Sequence, residues 1–181
     1  MSCGWPSPGG AHVEADQQPQ WIAAGAFSPK STNSYLLPTD IEYTGAGDIV
    51  YNTLRYDKGT TDEWFFVTTP PVNWDTGKIK FIPHYLVVDA LGTPGSMIFE
   101  LGVEYMADGF LPNVTTAWQT ITSTKTAGSS TVPQYIIGTE SSELTLTGSP
   151  ASSGAIALRM KRGNDVESDP LYFVGLYLKY V

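Results

Sequence analysis

The chain's 181 residues suffice for one domain with a sizeable core plus an extended arm. Eighteen acidic residues against ten Lys and Arg leave a net charge of −8, which argues against a nucleic-acid partner, since phosphate binding asks for a basic patch. Only 15% of residues are charged while Gly, Thr, Ser and aromatics are plentiful, a composition suited to short strands and many turns and poor for helices.

Cys3 is the single cysteine, so neither a disulfide framework nor a cysteine metal site is expected. Met1 to Gly10 has no basic-then-apolar leader. No apolar run approaches the roughly 20 residues of a membrane span, so a soluble product made in a cytoplasm is expected.

Met1 to Gln20 is rich in Gly, Pro, Gln and Ser, with Trp5 and Val13 as nearly its only large apolar residues. Such a segment cannot bury enough surface to fold alone and reads as an extended arm, either a disordered tail or one that becomes ordered against a neighbouring subunit with Trp5 as its anchor. Residues 21–181 then form a single domain. Trp21 to Asn33 (WIAAGAFSPKSTN) is a compact apolar entry segment. Ile49 to Tyr56 and Asp62 to Thr69 read as strands, the second ended by Pro70 and Pro71, which cannot donate to a ladder. Lys78 to Val88 follows, with a bulge or bend expected at Pro83.

Ser96 to Met106 has the cleanest alternation. Met97, Phe99, Leu101, Val103 and Tyr105 share one face, and Ile98, Glu100, Gly102 and Glu104 the other. A strand over Val114 to Thr122 precedes a polar loop, Ser123 to Ser130. Val132 to Ile137 and Glu143 to Thr147 are further strands. From Gly154 the chain reads strand, polar turn, strand, the pattern of a hairpin. In the last arm Leu171, Phe173 and Tyr177 fall on one face and Tyr172, Val174, Leu176, Leu178 and Tyr180 on the other. A strand apolar on both faces is either central or pressed against a partner chain, so a homo-oligomer, a trimer or dimer, is expected. Roughly eight to ten strands with turns between them predict an all-β, jelly-roll-like antiparallel sandwich.

In this order the chain resembles small structural proteins of tailed bacteriophages. The residues that carry the likeness are WIAAGAFSPKSTN at 21–33, DEWFFVTTPPVNWDTGKIKFIPHY at 62–85, YIIGTESSELTLTGSPASSGAIALRMKR at 135–162 and DPLYFVGLYLKYV at 169–181. It spans most of residues 21–181. Ala23 stands where the family usually has proline, and Lys30 where it usually has arginine. The resemblance implies a virion component assembled in the bacterial host, and brings no defined site.

Candidate chemistry is sparse. Asp165, Glu167 and Asp169 alternate in the last turn and are the candidate oxygen donors for a cation, but the turn lacks the length and downstream Glu of an EF-hand loop, so a solvated turn and no metal site are expected. Glu100 and Glu104 lie four residues apart, so their backbones are roughly 13 Å apart, beyond the spacing of a glycosidase pair. His12 and His84 are the only histidines, too few for a multi-histidine metal site; His84 reads as a hydrogen-bonded structural residue. Asn113 opens a formal glycosylation sequon without meaning in a bacterial cytoplasm. No phosphate loop or catalytic triad is visible, and no cofactor is implied. Trp64 and Trp118 sit within strands as expected core. Trp74, in a turn, is the aromatic expected to stack on a sugar. Trp5, Trp21, Tyr172, Tyr177 and Tyr180 are the expected interface aromatics.

The expected function is therefore non-enzymatic. It is a capsid decoration (cement) protein that binds the shell exterior, with the major capsid protein or other virion proteins as partners. The alternative is a tail or fibre component that binds a host glycan. Neither a nucleic-acid nor a membrane partner is expected.

Overall fold

The computed structural model describes residues 19–29, 39–41, 51–57, 63–72, 74, 77–87, 95–109, 118–127, 134–148, 153–163 and 170–181. Trp5, Cys3, His12, Asn113, Asp165, Glu167, Asp169 and the rest of the expected arm up to residue 18 lie outside these.

Twelve strands occur among the described residues, more than the eight to ten expected, because three two- or three-residue pieces pair at the sheet margins. They are β1 (Gln20–Ala23), β2 (Ser28–Pro29), β3 (Thr39–Ile41), β4 (Tyr51–Tyr56), β5 (Trp64–Thr68) and β6 (Lys78–Val87). The remainder are β7 (Gly95–Met106), β8 (Gln119–Ala127), β9 (Gln134–Ile137), β10 (Leu144–Thr145), β11 (Ala155–Arg162) and β12 (Leu171–Tyr180).

Two antiparallel sheets form. One is built on the order β4–β12–β6–β9, with β1 beside β12, β3 beyond β4 and β10 beside β6. The other runs β2–β5–β11–β7–β8. Leaving aside the short β1, β2, β3 and β10, the chain visits the two sheets as a jelly roll does: β4, β6, β9 and β12 in one, β5, β7, β8 and β11 in the other. Ala24–Ala26, a single 3-10 turn, carries the entry segment from β1 in the larger sheet to β2 in the smaller. Pro29 falls on the outermost strand of its sheet, where a residue without an N–H costs no ladder bond.

The core lies between the sheets. Met97, Phe99, Leu101 and Val103 of β7 and Ile156, Leu158 and Met160 of β11 face Ile79, Phe81, Tyr85 and Val87 of β6 and Leu171 and Phe173 of β12. Trp64 is among these buried residues, as expected. Each fully buried Leu, Ile or Phe contributes roughly 1.5–3 kcal/mol of burial free energy. Hydrogen bonds stitch the layers: Tyr56 Oη of β4 donates to the Met160 carbonyl of β11, Arg162 Nη1 donates to the Tyr56 carbonyl, and Gln20 of β1 bonds Thr68 of β5.

Three expectations are corrected. β11 and β12 are not a hairpin; β11 pairs with β5 and β7, whereas β12 pairs with β6, β4 and β1. β8 extends to Ala127, through residues read as loop, because it pairs with β7 over its length and turns Ile121 and Ser123 inward. Its outward Thr120, Thr122 and Thr124 are β-branched, so a polar strand needs no apolar period.

The third concerns β12. The register against β6 shifts between Phe173 and Gly175, so Val174 is an extra residue in the ladder. A bulge of one residue reverses the faces beyond it. Leu171, Phe173, Leu176, Leu178 and Tyr180 therefore all point into the core, and Tyr172, Gly175, Tyr177 and Lys179 point outward. The irregularity expected in β6 at Pro83 falls instead on its partner. The two apolar faces from which an oligomer was expected resolve into one inner face and one mixed outer face.

Candidate functional site

The outer face of the larger sheet is built where β1, β12, β6 and β9 lie side by side. Register places Trp21 opposite Tyr177, and Tyr177 opposite Ile82, in one row across three strands. The next row holds Ala23, Gly175, His84 and Ile137. Because Gly175 has no side chain, the Trp21 indole reaches diagonally across β12 to His84, edge to face at 5.1 Å. Trp21 also meets Tyr177 at 4.9 Å, and His84 meets Tyr177 at 5.3 Å and Tyr135 at 5.7 Å. His84 Nδ1 and Tyr135 Oη share a hydrogen bond of 2.6 Å. Burial pushes the His84 pKa below its usual value, which favours the neutral ring.

The patch is open to solvent although His84 beneath it is buried. Trp21 is 41% exposed, Tyr135 46%, Ile137 53% and Tyr177 37%. Large apolar side chains gathered on one face, with a polar atom on each of three of them, are the makings of a binding surface. At one end stand Lys80 and Lys179, paired with each other across the strands and both in contact with Glu140.

Of the aromatics expected at an interface, Trp21 and Tyr177 are brought together here. Tyr172 lies on the same outer face of β12, half-buried, opposite Arg55 and Leu86. Tyr180 does not join them. It is 4% exposed, on the inner face that the bulge selects, and its hydroxyl donates to Gln20 Oε1. Trp74, expected to stack on a sugar, is only 6% exposed. Its Nε1 donates to the Lys78 carbonyl and its ring packs edge-on against Tyr180 at 5.4 Å, so the turn folds it inward.

Trp118, expected in the core, instead lies half-buried on the outside of the smaller sheet, beside Phe65 and beneath the Arg159 guanidinium at 5.0 Å. Glu100, on that face, pairs with Lys161 at 2.7 Å. No group of three or more metal-ligating side chains is present among the described residues. Tyr135 and Ile137 were missed by the sequence reading, and His84 was read only as structural. The alternation Tyr135, Ile137 on a strand with Ile136 between them was the available signal.

No family model matches the chain, and no curated protein does. Solved structures similar in fold include a cycloisomaltooligosaccharide glucanotransferase of Paenibacillus sp. in complex with cycloisomaltoheptaose. It is 13% identical with a TM-score of 0.47 over 90% of this chain and 18% of that one. The CBM22-1–GH10 modules of Clostridium thermocellum xylanase 10B, with xylohexaose, are 13% identical with a TM-score of 0.45 over 88% of this chain and 27% of that one. An arabinose-bound GH51 α-L-arabinofuranosidase is 17% identical with a TM-score of 0.41, covering 90% of this chain and 25% of that one. This chain therefore spans about a quarter or less of each of these proteins.

Proposed function

We propose that the protein is a non-enzymatic, carbohydrate-binding β-sandwich whose ligand lies across Trp21, Tyr177 and Tyr135 on the outer face of the larger sheet. The observation that carries this is the exposed Trp21 indole, held on Gly175 and against His84 and Tyr177 rather than left to wave in solvent. The C–H face of a pyranose ring gains dispersion and apolar burial against such aromatics, and a ring already fixed in place loses little freedom on binding. Tyr135 Oη and Tyr177 Oη supply hydrogen-bonding groups at the rim. Titration against soluble oligosaccharides, followed by tryptophan fluorescence, tests this. Binding that is lost in Trp21→Ala and Tyr177→Ala, with circular dichroism unchanged, is expected; binding unaffected by both substitutions would overturn it.

The phage resemblance of residues 21–33, 62–85, 135–162 and 169–181 supports a virion setting. A tail or fibre position is the one in which a glycan-binding face meets a host surface. A second reading is capsid decoration, with the patch seated on the major capsid protein. It is favoured by Ile137, an exposed aliphatic side chain that a sugar does not require. Copy number in purified virions separates the two: near that of the capsid subunit for decoration, near that of tail proteins for the fibre position.

A further inference from the structure

Beyond the aromatic row, the same face carries an unbalanced charge. Lys80 and Lys179 are directly opposite each other on β6 and β12, an arrangement that repels unless an anion intervenes. Glu140 is that anion: Lys179 Nζ donates to Glu140 Oε2, and Lys80 Nζ stands 3.5 Å from Oε1. The hydrogen bond from Lys179 holds the Glu140 carboxyl below the usual carboxylate range, so it stays ionised at neutral pH. Within this triad two cations share one carboxylate, an excess of one positive charge. The next pair along the sheet, Lys78 and Glu143 at 2.9 Å, cancels internally and adds nothing.

The position of that excess charge matters. Lys179 follows Tyr177 by two residues and Lys80 precedes Ile82 by two, so the lysine row lies about 6.6 Å from the aromatic row. A carboxylate carried on the neighbouring sugar can bridge that distance. Resting on the carbohydrate reading above, we propose that the ligand is an acidic glycan: one sugar stacks at Trp21 and Tyr177, and its neighbour presents a carboxylate to Lys80 and Lys179. The chain's overall charge of −8 does not forbid this, because charges beyond about 8 Å are screened at physiological salt whereas contact pairs are screened less. Glu140 positions both ammonium groups beforehand.

The test uses the full chain and two matched pairs of probes: trigalacturonic acid with its methyl ester, and sialyllactose with lactose. The acidic member of a pair is expected to bind more tightly than its neutral counterpart. That preference should fall about two- to fivefold in Lys80→Gln or Lys179→Gln, the range for one exposed ion pair, and should shrink as salt is raised. Equal or tighter binding of the neutral members overturns the charge assignment and leaves the carbohydrate reading standing. Binding of none of the four overturns both.

Discussion

The indole of Trp21 occupies the space that a side chain on Gly175 would fill: a Cβ there would come within 2.6 Å of Cζ2 and 2.8 Å of Cη2. The same Cβ would meet the Ile22 carbonyl oxygen at 2.6 Å, a backbone atom that cannot step aside. Gly175 is thus what allows β1 to lie close along β12 and the aromatic patch to assemble. Gly175→Ala is expected to destabilise by about 1–3 kcal/mol, as overpacking does, and to weaken glycan binding with it. Gly25, in the 3-10 turn, has nothing within 4 Å of its ideal Cβ, so Gly25→Ala should stay within about 0.5 kcal/mol of the parent. Thermal unfolding of both variants decides it; equal shifts would refute the packing argument.

Phe173 joins the two layers through rings. It packs edge-on to Phe27 at 5.6 Å and to Tyr56 at 6.2 Å, and lies tilted against Phe99 of the opposite sheet at 5.8 Å. Phe173→Ala would leave a cavity that no neighbouring strand can close, and should cost about 3–5 kcal/mol. Urea unfolding is the measurement, with Val67→Ala on the exposed outer face as the control expected within about 0.5 kcal/mol.

Where a strand keeps strict alternation, the sequence shows its buried face directly. For β7 the residues grouped on one face are those found inward, apart from Tyr105, which is half-buried at the end of the strand, and Ile156, Leu158 and Met160 of β11 alternate in the same way. β12 misled because one inserted residue, Val174, exchanges the two faces, and nothing in LYFVGLYLKYV marks an insertion apart from the glycine beside it. The site was legible only in parts. Trp21 and Tyr177 stand out as aromatics in the entry and closing segments, but their adjacency depends on the β1–β12 register, which joins opposite ends of the chain. No local pattern encodes that pairing, nor the one that brings Tyr135 to His84. Trp74 failed for a related reason: its turn is polar, yet the Lys78 carbonyl and the Tyr180 ring beneath draw it inward.

Tyr180 gives an alkaline signature. Burial pushes its pKa up to about 12, partly offset by a hydrogen bond with Thr68. An unfolded tyrosine ionises near about 10, so the folded phenol keeps its proton over a range in which the unfolded one has lost it. The stability this contributes is present below pH about 10 and is lost as pH rises through about 12. Tyr180→Phe should therefore narrow the fall in thermal midpoint across that range, at the cost of the hydroxyl's bond to Gln20. A parent and variant that lose stability in parallel would contradict it.

His84 acts in the opposite direction. Its ring is closed in by Trp21, Tyr177 and Tyr135, none of which carries charge at neutral pH, and burial lowers its pKa. Between the lowered folded value and the unfolded value near about 6.5, the unfolded chain binds the extra proton, so stability rises with pH over that window. It is fully present above about 6.5 and is lost as pH falls through the folded value. His84→Gln keeps a hydrogen-bonding partner for Tyr135 and cannot charge. The parent should lose thermal stability from pH about 7 towards the folded pKa by more than this variant does. Matching pH profiles for the two proteins would show that the His84 pKa does not differ between the folded and the unfolded chain.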